Sequence, residues 1–148
     1  MDVSTKDVRE LGLAANLHEY KHSGLLLIMA VLSFVSMYVL MYAMVDRASN
    51  IYPNLNQLYM AGLMTAPMIV IEVVLMRAMY HSARLNFAII IASLVALAAF
   101  FIFIRQQSAI GDEQFLRSMI PHHAGAILMC EKASIRDPEI RQLCASII

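Results

Sequence analysis

Residues 24–45 read GLLLIMAVLSFVSMYVLMYAMV and contain no charged side chain. A helix rises about 1.5 Å per residue, so this length is enough to cross the roughly 30 Å of a bilayer's hydrocarbon core. The stretch therefore predicts a transmembrane helix, and the rest of the chain can be interpreted outward from it.

Two further apolar runs follow this stretch. Residues 57–80 (QLYMAGLMTAPMIVIEVVLMRAMY) are long enough to span a membrane, although they contain Pro67 and Glu72. Residues 87–104 (FAIIIASLVALAAFFIFI) are uncharged and near the lower length limit for a span. The sequence predicts an all-α membrane protein with a three-helix transmembrane region, residues 24–104, embedded in the lipid bilayer.

The composition agrees with this fold class and excludes others. The chain has 148 residues, of which 60% are hydrophobic and 15% charged, and its mean hydropathy is +0.66. Soluble domains are about half apolar and a quarter charged. The formal charge is zero because 11 basic and 11 acidic residues cancel, so we do not expect a nucleic acid partner.

Basic residues in the short loops predict the orientation. Lys6, Arg9 and Lys21 precede the first span and Arg84 lies in the second loop, whereas the first loop contains only Arg47. The positive-inside rule then puts a juxtamembrane helix, residues 1–23, in the cytoplasm. The tail, residues 105–148, would then lie on the outer side of the membrane.

The tail predicts a short helical hairpin. Asp112 is expected to cap a helix that runs through Ala133 and is kinked at Pro121, and Asp137 with Pro138 begins another. About 40 residues rarely form an independent core, so the tail should pack on a partner subunit, a metal or the membrane helices. A homo-oligomer is the expected state, and small residues suited to close helix contacts recur in the spans, as Gly62 with Ala66 and Ala92 with Ala96.

Methionine stripes occur in two spans. Met60, Met64, Met68 and Glu72 recur every four residues, which gives a slowly winding stripe on one helix. In the first span, Met37, Met41 and Met44 share a face in the same way. Thioethers are soft ligands for Cu(I) and Ag(I), and Glu72 would neutralise a cation held among them. The alternatives are that the methionines only pack, and that Glu72 is protonated or paired with Arg77.

The tail contains a second cluster of soft donors. Met119, His122, His123, Met129 and Cys130 are spaced so that imidazole and sulfur lie along one side of a helix. This set suits a soft monovalent metal better than zinc, which prefers several Cys or His ligands. The alternatives are that the histidines only bond carbonyl groups freed by Pro121, and that Cys130 forms a disulfide with Cys144 instead of remaining a thiol.

The segment from Asp112 to Met129, DEQFLRSMIPHHAGAILM, resembles the bacterial family of domain of unknown function three hundred and five (DUF305), whose hallmark is Met-Ile-x-His-His-x-x-Ala-Ile-x-Met. The resemblance implies a ferritin-like helical fold, here half a bundle, and a link to periplasmic copper binding and resistance. It implies Met119, His122, His123 and Met129 as ligands, whereas Cys130 is added from its spacing alone.

Together with the resemblance, these observations predict a Cu(I) or Ag(I) binding protein of copper homeostasis, anchored in a bacterial inner membrane with its tail in the periplasm or the extracellular space. It would pass the ion along the methionines and work with periplasmic copper-handling proteins. We do not expect an enzyme. His18-Glu-Tyr-Lys-His22 matches the zinc protease pattern His-Glu-x-x-His, but a solvated juxtamembrane helix explains these residues as well. The remaining alternatives are a structural or assembly subunit without metal and a cation channel that uses Glu72.

Overall fold

The computed structural model describes residues 24–76 and 82–148, and this part of the chain is all-α with five helices. They are α1 (residues 24–40, continued by a 3-10 turn over Met41–Met44), α2 (Leu55–Leu75), α3 (Ala83–Gln106), α4 (Asp112–Lys132) and α5 (Pro138–Ile147). The predicted juxtamembrane helix, residues 1–23, and the motif containing His18 and His22 lie outside the described residues.

Three helices in the described ranges are long and apolar enough to cross a membrane: Gly24–Met44, Leu55–Leu75 and Ala83–Gln106. Two of them begin earlier than the apolar runs suggest. The Asn54 side chain accepts a hydrogen bond from Gln57 N at 2.9 Å, and Ser82 Oγ accepts one from Leu85 N at 3.3 Å. These caps make the polar residues before each apolar run part of the helix.

Helices α2 and α3 pack closely through aromatic and small side chains. The rings of Tyr59 and Phe103 have centroids 5.5 Å apart, and Gly62 lies against the ring of Phe100. Helix α1 joins this pair through the buried Leu26 and through Met37, whose sulfur lies 3.7 Å from Thr65 Oγ1. The three helices therefore form one unit, and Gly62 permits a close helix approach as its small size predicts.

Helix α4 lies across one end of this unit, which we call the cap end. The cap end consists of the 3-10 turn Met41–Met44, the first turns of α2 and the end of α3. Gln114 Oε1 accepts a hydrogen bond from Leu55 N at 3.1 Å, and Asn56 Nδ2 donates one to Ser118 Oγ at 3.2 Å. Because these bonds join residues far apart in sequence, they fix the tail on the three-helix unit.

The turn from α3 to α4 is held by a pair of amides. Gln107 ends α3 in the left-handed conformation at φ 50°, which is uncommon for a residue other than glycine. Its side chain exchanges two hydrogen bonds with Asn56, each 3.1 Å long. The pair ties the end of α3 to the start of α2 and directs the chain over the cap end.

The tail has the two predicted helices, with one change at the first cap. Gly111, rather than Asp112, is the N-cap of α4, and Asp112 is its first helical residue. Asp112 and Glu113 lie in the first turn, where their negative charges interact favourably with the positive end of the helix dipole. Asp137 caps α5 as expected, since Oδ1 accepts hydrogen bonds from Glu139 N at 2.9 Å and Ile140 N at 3.2 Å.

Candidate functional site

The face of α4 that meets the cap end is built from small residues. Pro121, Ala124 and Gly125 are the buried residues of this helix. A Cβ at Gly125 would lie 3.5 Å from the carbonyl oxygen of Met44, so the helix approaches the 3-10 turn closely. Longer side chains on either side of this contact leave a space between α4 and the three-helix unit.

That space is a cleft of about 480 Å³, and its chemistry is dominated by soft donors. Met41 and Met44 reach it from the 3-10 turn, whereas Met119, His122 and Met129 reach it from α4. Four thioethers and one imidazole from two separate elements therefore line one cavity. We call this cavity the soft-donor cleft.

The remaining wall of the soft-donor cleft is neutral. Asn54, Asn56 and Gln57 contribute amides from the start of α2. Asn54 Nδ2 donates to Gln57 Oε1 at 2.8 Å, whereas the amide of Asn56 bonds to Gln107 and Ser118. The described lining residues include no Asp, Glu, Lys or Arg.

The structure separates the two neighbouring histidines. His123 lines another cavity, of about 320 Å³, together with Asn50 and Leu116. The two imidazole rings meet edge to face with centroids 5.8 Å apart. Met119 lines both cavities. Only His122 of the pair therefore shares a cavity with the sulfur atoms of the 3-10 turn.

Cys130 forms a disulfide with Cys144, and their Cα atoms are 5.3 Å apart. This decides between the two roles that the sequence left open for the cysteines. A disulfide sulfur is not a thiolate, so Cys130 does not offer a thiolate ligand in this form. The bond instead joins α4 to α5 beside Met129.

The stripe predicted on the second span lies mostly on an outer face. Met60, Met64 and Met68 are 38%, 44% and 38% exposed, whereas Glu72 is half-buried. The buried face of α2 contains the small residues and Tyr59 instead. None of the four predicted stripe residues lines the soft-donor cleft.

Met41 and Met44 were not among the predicted tail ligands, although their spacing with Met37 was visible in the sequence. Their contact with α4 depends on the tail folding back over the cap end, which no local pattern encodes.

In the described ranges, 24–76 and 82–148, no three His, Cys, Asp or Glu residues are grouped to hold a metal. The donors that line the cleft are instead four thioethers and one imidazole.

The fold and the cleft describe an all-α protein with three long apolar helices and a helical tail, and comparison with known proteins identifies the tail. Residues 104–148 match the domain of unknown function DUF305. The chain is also 34% identical over 130 residues to uncharacterized protein L153 of Acanthamoeba polyphaga mimivirus, an alignment that covers 86% of this chain and 84% of the relative. The protein belongs to the DUF305 family.

The similarity to L153 extends well beyond the tail. An alignment covering 86% of this chain necessarily includes most of all three long apolar helices. No solved structure matches the chain. The sequence similarity to L153 therefore covers the apolar helices as well as the tail.

Proposed function

We propose that this protein is a membrane-anchored binding protein for Cu(I), and by the same chemistry for Ag(I), in copper homeostasis or resistance. The observation that carries the proposal is the soft-donor cleft, which gathers Met41, Met44, Met119, Met129 and His122. Thioether sulfur and imidazole are ligands that Cu(I) accepts readily, and hard divalent ions prefer oxygen ligands.

The neutral wall of the cleft supports a monovalent cargo. Neutral thioethers do not compensate the charge of a divalent cation, whereas Mg²⁺ and Ca²⁺ sites are built with carboxylates. The described lining contains no carboxylate. A weakly hydrated monovalent ion loses the least solvation on entering such a site, so Cu(I) and Ag(I) fit it better than Zn²⁺.

The helices and the disulfide support a proposal for the location. We propose that α1, α2 and α3 cross the bilayer, since each is long and apolar enough to do so. Disulfides persist in oxidising compartments, so the pairing of Cys130 with Cys144 supports an extracytoplasmic tail. The positive-inside pattern of the loops points the same way. The cleft would then receive ions arriving from outside the cell membrane.

Anaerobic Cu(I) titration of the full chain in detergent micelles tests the proposal. We expect His122→Ala to weaken binding at the cleft by at least tenfold, because it removes its imidazole ligand. His123→Ala is the matched control, since it deletes the same group on the neighbouring residue, which lines the other cavity. We expect its affinity to stay within about twofold of the wild-type value.

The outcomes separate three possibilities. Loss of affinity in both variants would mean that the histidines act as a pair and would contradict the geometry of the cleft. Equal affinity in the wild type and in both variants would exclude His122 as a ligand. Failure of the wild-type protein to take up Cu(I) would refute the proposed function.

A further inference from the structure

A shallow groove of about 500 Å³ runs along α1 where this helix faces α2. It is lined by the thioethers of Met29, Met37 and Met68, together with the hydroxyl groups of Ser33 and Ser36. Its other lining residues are aliphatic. The groove therefore collects soft donors from two helices at a depth where the chain is otherwise apolar.

The sulfur of Met37 is directed toward α2. Its Sδ atom lies 3.7 Å from Oγ1 of Thr65, a buried residue of α2. Met68 follows Thr65 by three residues, which is slightly less than one helical turn. The two methionines thus line the groove from facing helices, and Met29 lies about 12 Å further along α1.

The methionines of the groove and of the soft-donor cleft follow one another along one helix face. Met37 lines the groove, and Met41 and Met44 line the cleft. Residues spaced four and then three apart lie on the same face, so each step is about one turn, or 5–6 Å.

We propose that this groove is a second site for soft monovalent cations, Cu(I) or Ag(I), with Met37 and Met68 as its ligands and Met29 at its inner end. The inference deepens the function proposed above and rests on it. Neutral thioethers at this depth bind such an ion without a permanent charge. A few weak ligands also release an ion more readily than the larger donor set of the cleft, as a pathway requires.

This site differs from the stripe that periodicity predicts on α2. Of that stripe, Met68 lines the groove and Met60 and Met64 do not, although the side chain of Met68 is as exposed as that of Met60. The groove instead takes Met37 and Met29 from α1. Replacing the methionines of the groove and replacing those of the stripe should therefore have different effects on the number of bound silver ions.

Titration with Ag(I) in chloride-free buffer tests the proposal on the full chain in lipid nanodiscs, with bound silver counted by mass spectrometry. We expect the wild type to hold two equivalents. Met37→Leu with Met68→Leu should retain one, because leucine keeps the apolar volume and removes both sulfur atoms. The matched variant, Met60→Leu with Met64→Leu, should retain two.

A variant of the soft-donor cleft shows which of the two proposed sites is wrong if the expected stoichiometry is not found. His122→Ala with Met119→Leu should also lose one equivalent while leaving the groove occupied. If this variant loses an equivalent but the Met37 and Met68 variant does not, the groove proposal is wrong and the cleft stands. If only the Met60 and Met64 variant loses silver, the outer stripe binds the ion and the groove does not.

A spectroscopic measurement on the wild-type protein tests the same proposal even if the double variant does not fold. In wild-type protein labelled with ¹³C at the methionine methyl groups, the second equivalent of Ag(I) should shift the signals of Met37 and Met68. Assignment follows from single leucine variants. Shifts confined to Met41, Met44, Met119 and Met129 throughout the titration would overturn the proposal.

Discussion

At Gly62 the absence of a side chain sets how closely α2 packs on α3. A Cβ at this position would collide with the ring of Phe100. Alanine favours helix formation by about 1 kcal/mol relative to glycine, but overpacking of a close contact costs about 1–3 kcal/mol. We expect the cost of overpacking to exceed the gain in helix propensity, so that an added methyl group at position 62 destabilises the protein.

We expect Gly62→Ala to lower the melting temperature of the protein, measured by circular dichroism in one detergent. Adding Phe100→Leu should restore part of the loss, because the branched aliphatic chain leaves room that the flat ring does not. A melting temperature of the single variant at or above the wild-type value would show that Phe100 moves aside without cost.

The histidine pair shows what residue patterns predict and what they omit. The motif drew attention to both His122 and His123, but consecutive residues on a helix are about 100° apart. One cavity therefore receives one ring, and the neighbouring ring faces Asn50 and Leu116. Helical spacing placed Met119, His122, His123 and Met129 on one side of a helix, but the choice of which of them share a cavity required the position of α4.

At the scale of the element, α5 is held mainly by its disulfide and by local bonds. Arg141 Nε donates to Ile135 O at 2.9 Å, and Asp137 caps the first turn. The apolar residues Ile140 and Leu143 are 49% and 57% exposed, so burial contributes little. The covalent link to α4 is therefore the main constraint on this helix.

We expect replacement of both Cys130 and Cys144 by serine to increase the hydrogen exchange rate of the α5 amides strongly. A disulfide that closes a loop of about this length contributes roughly 3 kcal/mol. Exchange in α2 and α3 should not change. Dithiothreitol should have the same effect on the wild type and none on the variant. Slow α5 exchange in both reduced samples would contradict this prediction.

The long helices were predictable because the hydrophobicity that a bilayer would require extends over each whole segment. Apolar runs predicted that three such helices exist, but not where they begin, since Asn54 and Ser82 extend two of them through single cap hydrogen bonds. The choice between thiol and disulfide at Cys130 was not predictable, because it depends on the distance between α4 and α5. Local patterns do not determine that distance.

At the scale of the whole molecule, the tail and the three-helix unit are joined by a few polar contacts. Gln114 is the clearest, since its Oε1 accepts the hydrogen bond of Leu55 N at 3.1 Å while its side chain is absent from the cleft wall. It is a positioning residue for α4. The return of the tail over the cap end was the part of the fold that the sequence only suggested, through the small size of the tail.

We expect Gln114→Ala to weaken Ag(I) binding at the cleft by about fivefold, since a hydrogen bond contributes about 1 kcal/mol. Glu113→Ala is the matched control: Glu113 is exposed and pairs with Arg117 on the same helix at 2.7 Å, and surface pairs contribute little. Titration of both variants measures the difference. Wild-type affinity in both would show that α4 does not need this contact.

The DUF305 match begins at residue 104, and the boundary cuts through the soft-donor cleft. The matched segment holds His122, Met119 and Met129, but the sulfur atoms of Met41 and Met44 come from far upstream. The excised domain would therefore lack part of the cleft lining. Its remaining donors would be in contact with water on the side that the end of the first apolar helix covers in the full chain. Metal binding by the excised domain and by the full chain would consequently differ in the donors available to the ion.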